Sequence, residues 1–151
     1  MDNLQQILTK HLEHLKARIA EKMASRNASG RTVASLTVEV SGDAGALIGS
    51  SAFLAIERGR GPGAVPKNFS SIIEEWIIHK GLHIGKTEDE LHSFAGAVAY
   101  NIMKHGTRLY QRGGEQDIYS SAIEEELADL ADEVFLAFTQ VINKDDDNGS
   151  K

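Results

Sequence analysis

Leu36-Thr37-Val38-Glu39-Val40-Ser41-Gly42-Asp43-Ala44-Gly45-Ala46-Leu47-Ile48 is the stretch that decides between an all-helical fold and a mixed one. Leu36, Val38 and Val40 alternate with Thr37, Glu39 and Ser41. Successive side chains of an extended strand point to opposite faces, so the alternation sets one face toward a core and the other toward water. The pattern predicts a half-buried strand over 32–41, a turn over 42–45 and a short return strand over 46–48, which together make a hairpin.

On either side of the hairpin the period changes from two to between three and four. Leu4, Ile7, Leu8, Leu12, Leu15, Ile19 and Met23 form one stripe of a helix over 2–24, and Asn27, Ser29 and Gly30 break it into a loop over 25–31. After the hairpin, residues 52–56 read as a turn or two of helix that runs into an exposed loop over 57–67. That loop holds three glycines and both prolines of the chain, which neither a helix nor a central strand accommodates.

Phe69, Ile72, Ile73, Trp76 and Ile77 predict a short helix stopped at Gly81. Thr87 and Glu90 have capping-box spacing at the head of a long helix, whose stripe is Leu91, Phe94, Ala95, Val98, Ile102 and Met103 and whose stop is Gly106. Residues 107–117 are polar. Ser121 and Glu124 repeat the capping-box spacing before Ile123, Leu127, Leu130, Val134, Phe138, Val141 and Ile142, a last helix with an acidic opposite face. The order predicts a single α+β domain over 1–143: a long N-terminal helix, a small antiparallel hairpin and three further helices, with a disordered acidic tail over 144–151.

At 151 residues the chain can bury about 70% of its unfolded surface, enough for one core. Its apolar runs are far shorter than the roughly 20 residues that span a bilayer, so no membrane association is expected. The start of the chain lacks the basic flank and apolar stretch of a signal peptide, and there is no cysteine, consistent with folding in a reducing cytoplasm. The net charge of -6 is uneven: residues 117–151 carry ten acids against two lysines, and the rest carries a net +2. That balance argues against a general nucleic-acid binder, whose affinity comes from Lys and Arg displacing counterions.

Several short motifs suggest chemistry and fail on spacing or context. Gly81-Leu82-His83-Ile84-Gly85-Lys86-Thr87 resembles a phosphate-binding loop but is one residue short and follows a helix where such a loop follows a buried strand. A helix stop followed by a helix cap explains it better. His79 and His83 are separated by a helix-breaking glycine, and His11 and His14 lack a third ligand, so both pairs read as surface histidines. His92 and His105 have no metal spacing, and no nucleophile accompanies a histidine and an acid in a catalytic pattern. Glu74 with Glu75, and Glu124 with Glu125 and Glu126, read as solvated helix faces. No catalytic, cofactor-binding or metal-ligating residue is therefore assigned. Arg58-Gly59-Arg60-Gly61 and Arg112-Gly113-Gly114 are too few to be an RNA-binding repeat, but an arginine-bearing loop beside an apolar segment makes a reasonable docking element.

The run from Ser29 to Gly106 also carries a family pattern: Ser29-Gly30-Arg31, the strand with Ser35, Leu36 and Val38, and then Phe53-Leu54-Ala55-Ile56-Glu57-Arg58-Gly59-Arg60-Gly61-Pro62-Gly63. The last is similar to the aromatic-x-x-x-Glu-x-Gly-Arg-x-Pro-Gly signature of tail-completion and neck proteins of tailed bacteriophages, with Phe53 where a tyrosine is usual. Pro66, Ile72, Trp76, Ile77, Lys80, Gly81 and Leu82 extend the likeness, as do Phe94, Ala95, Ile102, Lys104, Gly106 and Thr107, over about half of the chain.

The resemblance implies a non-enzymatic structural protein at the head-tail junction of the virion, assembled in the host cytoplasm. It would form a ring, often of six copies, around a channel that DNA crosses without sequence-specific contact, and would meet neighbouring neck, tail or portal-associated proteins. Phe53, Glu57, Arg58, Arg60 and Lys67 are then the interface candidates. Arg58, Arg60 and Lys67 are expected to dock on an acidic surface of a neighbouring copy, with the last helix as a candidate. The alternative is a small phage or bacterial adaptor or regulator whose loop binds one protein partner.

Overall fold

A computed structural model of the chain describes residues 2–26, 30–114 and 117–148. The elements are α1 (Asp2–Met23), a single turn α2 (Arg31–Ala34), β1 (Thr37–Ser41), β2 (Ala44–Ile48), α3 (Ala52–Arg58), α4 (Phe69–His79), α5 (Glu88–His105), α6 (Arg108–Gln111) and α7 (Ser120–Asn148). The fold is α+β, with one long N-terminal helix and a small antiparallel hairpin.

The strands are as anticipated in kind and differ in bounds. β1 begins at Thr37, because residues 31–34 close a turn of helix in which the Ala34 amide donates to the Gly30 carbonyl over 2.9 Å. The turn is also tighter than the sequence suggests: Ser41 pairs with Ala44 and Val40 with Gly45, leaving only Gly42 and Asp43 unpaired. A two-residue connection with glycine first follows the twist of the flanking strands, so it wins over a looser four-residue turn. Val38 and Val40 are half-buried while Thr37, Glu39 and Ser41 are exposed, the alternation that defined the strand.

Contacts divide the chain into two compact units, where one domain over 1–143 was expected. The first joins α1, the hairpin and α7, and α1 packs against both strands and against α7. Ile7, His11, Leu15, Ile19 and Met23 are all buried and lie four residues apart, so they form a single row along α1. On α7 and just before it, Ile118, Ala122 and Glu126 are buried at the same interval.

The second unit contains α2 to α6. Its core is Phe69, Ile73 and Ile77 of α4 against Leu91, Ala95 and Ala99 of α5, with Val65, Val98 and Ile102 packed around them. Small residues at 95 and 99 let the two helices approach closely. Each large apolar side chain buried there contributes about 1.5–3 kcal/mol. Thr87 caps α5 with the reciprocal pair the sequence indicated: its hydroxyl accepts from the Glu90 amide, and the Glu90 carboxylate accepts from the Thr87 amide over 2.9 Å.

The second capping box is different. α7 begins at Ser120, so Ser121 already lies in the helix, where its hydroxyl accepts from the Lys22 ammonium over 2.7 Å. α7 also continues through Asn148, past residue 143, over most of the segment expected to be a disordered tail; the final residues 149–151 lie outside the described residues, as do residues 27–29 of the first predicted loop. Among the described residues no helix is long and apolar enough to cross a membrane.

Candidate functional site

The loop after α3 carries the sequence's interface candidates, and hydrogen bonds rather than looseness determine its path. α3 ends at Gly59, whose amide donates to the Ala55 carbonyl over 2.8 Å. The Arg60 amide then donates to the Thr107 hydroxyl over 3.0 Å, the Thr107 amide donates back to the Arg60 carbonyl over 2.8 Å, and the Gly63 amide donates to the Met103 carbonyl over 2.9 Å. The same Thr107 hydroxyl caps α6 by accepting from the Tyr110 amide. One threonine thus fixes two segments that are 47 residues apart in sequence.

This stitching requires glycine on both sides. Gly106 has φ +76°, and a Cβ there would fall 2.6 Å from the Arg60 carbonyl oxygen. Gly59 has φ +78°, with the Tyr110 backbone and the Thr107 hydroxyl occupying the space a Cβ would need. Left-handed backbone with no room for a side chain leaves glycine as the only fit.

The five interface candidates therefore separate. Phe53 and Glu57 are 8% and 5% exposed, so both are interior side chains and not contact surface. Their four-residue spacing on α3 puts them on one face, and burial of that face outweighs the exposure expected from a polar, glycine-rich neighbourhood. Arg60 is half-buried: its guanidinium donates to the Ala64 carbonyl over 2.6 Å and lies 5.1 Å from the centre of the Phe69 ring, a cation-π contact that secures the loop. Arg58 and Lys67 are exposed.

Two arginine-glycine segments that stand far apart in sequence are brought together. Gly114 lies against Arg58, whose carbonyl oxygen is 2.5 Å from where a Gly114 Cβ would be. Arg108 and Arg112 are both exposed on and just after α6, and Arg112 Nε donates to the Arg108 carbonyl over 3.3 Å. Tyr110, on the same short helix, is 48% exposed and its ring covers Gly61. Three exposed arginines, Arg58, Arg108 and Arg112, and the half-exposed Tyr110 are thus carried on adjoining segments, a basic platform of the second unit. Sequence reasoning named only the first as an interface residue, because residues 107–117 show no periodicity that would reveal α6.

On the first unit the notable surface is α7. Leu127, Phe135, Phe138 and Ile142 are 57%, 70%, 56% and 61% exposed. With Ala131 they are spaced four, four, three and four apart, one continuous stripe of a helix. Exposed Glu124 and Asp132 border it. Phe138 and Val141 also line a groove of about 250 Å³ shared with Leu4 and Ile7 of α1 and Asp43 of the hairpin turn.

Beneath that surface α1 and α7 are joined by a polar network that sequence reading missed. His11, taken as a surface residue, is 6% exposed, and Glu126, taken as part of a solvated face, is 3% exposed. His11 Nδ1 is 2.6 Å from Glu126 Oε1 and Nε2 is 2.8 Å from Glu133 Oε2. Carboxylates only accept, so when Glu126 and Glu133 are both ionised this geometry is satisfied by the imidazolium, whose two ring nitrogens both donate. Burial acts to lower the His11 pKa, but the hydrogen bonds and charges of Glu126 and Glu133 outweigh it and the net direction is upward. Burial likewise acts to raise Glu126, and hydrogen bonds from His11, His14 and Arg18 bring it below the usual carboxylate value. Lys10 first, and then His11, lower Glu133. The signal was present in sequence: position 11 falls in the row of 7, 15, 19 and 23, and position 126 in the row of 118 and 122.

The remaining motifs resolve as local structure. Residues 81–85 form the turn between α4 and α5, and Lys86 lies 5.3 Å from the centre of the Phe94 ring. His92 pairs with Glu74 over 3.1 Å, and His83 Nδ1 is buried without a hydrogen-bond partner. Among the described residues no three His, Asp or Glu side chains are placed to hold a metal ion. Comparison with family models, curated proteins and solved structures gives no match to this chain.

Proposed function

We propose that this chain is a non-enzymatic structural component of a tailed bacteriophage, acting at the head-tail junction by assembling with copies of itself and with neighbouring neck or tail proteins. The observation that carries the reading is the uncovered apolar stripe of α7, where Phe135 and Ile142 are 70% and 61% exposed. A row of large apolar side chains in water marks a surface that another protein covers. The resemblance of residues 53–63 to the tail-completion signature names the assembly. The rigid loop that bears those residues supports it, since a preformed docking element loses little conformational entropy on binding. A ring around DNA, six copies among the possible numbers, is the arrangement the resemblance implies.

Antibody raised against the purified chain and imaged by immunogold electron microscopy is expected to label the neck of intact particles. Particles that carry no label at the neck, from a phage that makes the protein, would refute this placement.

A further inference from the structure

Resting on the assembly reading above, we infer that the arginine platform of one copy, Arg58, Arg108 and Arg112, seats on the acid-bordered apolar stripe of α7 of a second copy. The two surfaces match in charge and in kind. The platform offers exposed cations and, one helical turn before Arg58 on α3, the exposed apolar side chain of Leu54, which is 58% exposed. The stripe offers Leu127, Phe135 and Phe138 with Glu124 and Asp132 at its border.

Charge also disfavours two of the like-with-like pairings. Two platforms face to face would oppose arginines, and two α7 stripes laid side by side in parallel would oppose their carboxylates, each a repulsion in a partly desolvated contact. Joining platform to stripe removes both penalties. Such a contact uses a different patch on each partner, so every copy gives one surface and receives on the other, and the chain of contacts continues until it closes. The sequence expectation that Arg60 takes part is not kept, since its guanidinium is engaged with Ala64 and Phe69 within its own loop.

A charge-swap mixing experiment tests this. One variant carries Arg108→Glu and Arg112→Glu, and the other carries Glu124→Lys and Asp132→Lys; all four positions are exposed, so both should melt at the temperature of the unsubstituted protein. Sedimentation velocity of the full chain should show self-association weakened on the order of 100-fold in each variant alone. An equimolar mixture should recover it, because each platform then meets an oppositely charged stripe. Association of either variant at wild-type strength, or a mixture no stronger than its components, overturns the proposal while leaving the immunogold result standing.

A wild-type chain that stays monomeric at every concentration also overturns it. Duplex DNA titrated at physiological salt provides the other arm: if the arginine variant loses DNA binding but self-associates normally, the platform serves phosphate and the proposal is wrong.

Discussion

His11 shows how one residue can hold two helices together. Its imidazolium lies between Glu126 and Glu133 with both nitrogens engaged. Replacing it with alanine removes the ring and leaves the Glu126 carboxylate, 4% exposed, with a weaker set of partners. The expected cost is about 3 kcal/mol in urea denaturation at pH 6. The pH dependence follows from the directions of shift. His11 is raised above its ordinary 6.5, so its share of stability is full below that value and is lost as pH rises through the raised one. Glu126 and Glu133 are lowered from 4.5, so their share is present above that value and is lost as pH falls through the lowered ones. Stability should therefore peak between these limits and decline on the alkaline side, and His11→Ala should flatten the alkaline decline. Gly106→Ala is the second residue-scale test. With φ +76° and the Arg60 carbonyl 2.6 Å from the added carbon, it should cost about 2 kcal/mol or more and shift the amide resonances of residues 58–63.

Among the elements, those with a strong period were legible in sequence and those defined by tertiary pairing were not. α1, α4, α5 and α7 follow from their apolar stripes, and the capping box at Thr87 fixes the head of α5. Thr87→Ala should cost about 1 kcal/mol in thermal or urea denaturation. α6 escaped notice because a single turn has no stripe and its cap, Thr107, is shared with a loop distant in sequence. The platform escaped with it, since no local pattern indicates that Arg58 and Gly114 meet. His11 and Glu126 were misplaced for another reason: residue type outweighed position, although both stand in otherwise apolar rows. The α7 stripe gives a test of the reverse kind. Phe135→Ser should change unfolding free energy by less than about 0.5 kcal/mol, because the ring is 70% exposed, and should weaken self-association measured by sedimentation.

For the whole molecule, the division into two units makes a local prediction. Raising the pH above the His11 pKa should accelerate amide hydrogen exchange in α1 and α7 more than in α4 and α5, because the buried His11 network ties α1 to α7. The units also differ in how the chain builds them. α2 to α6 come from residues 25–34 and 50–117, whereas the other unit needs 1–24, 35–49 and 118–151. On the ribosome, α1 and the hairpin emerge early yet cannot acquire their helical partner until α7 has left the exit tunnel, nearly a hundred residues later. The intervening segment has all its own contacts by then and can close first. Until then the row of Ile7, Leu15 and Ile19 on α1 has the hairpin beside it but lacks the second helix that packs against α1, and that part of the new chain is open to chaperones during translation.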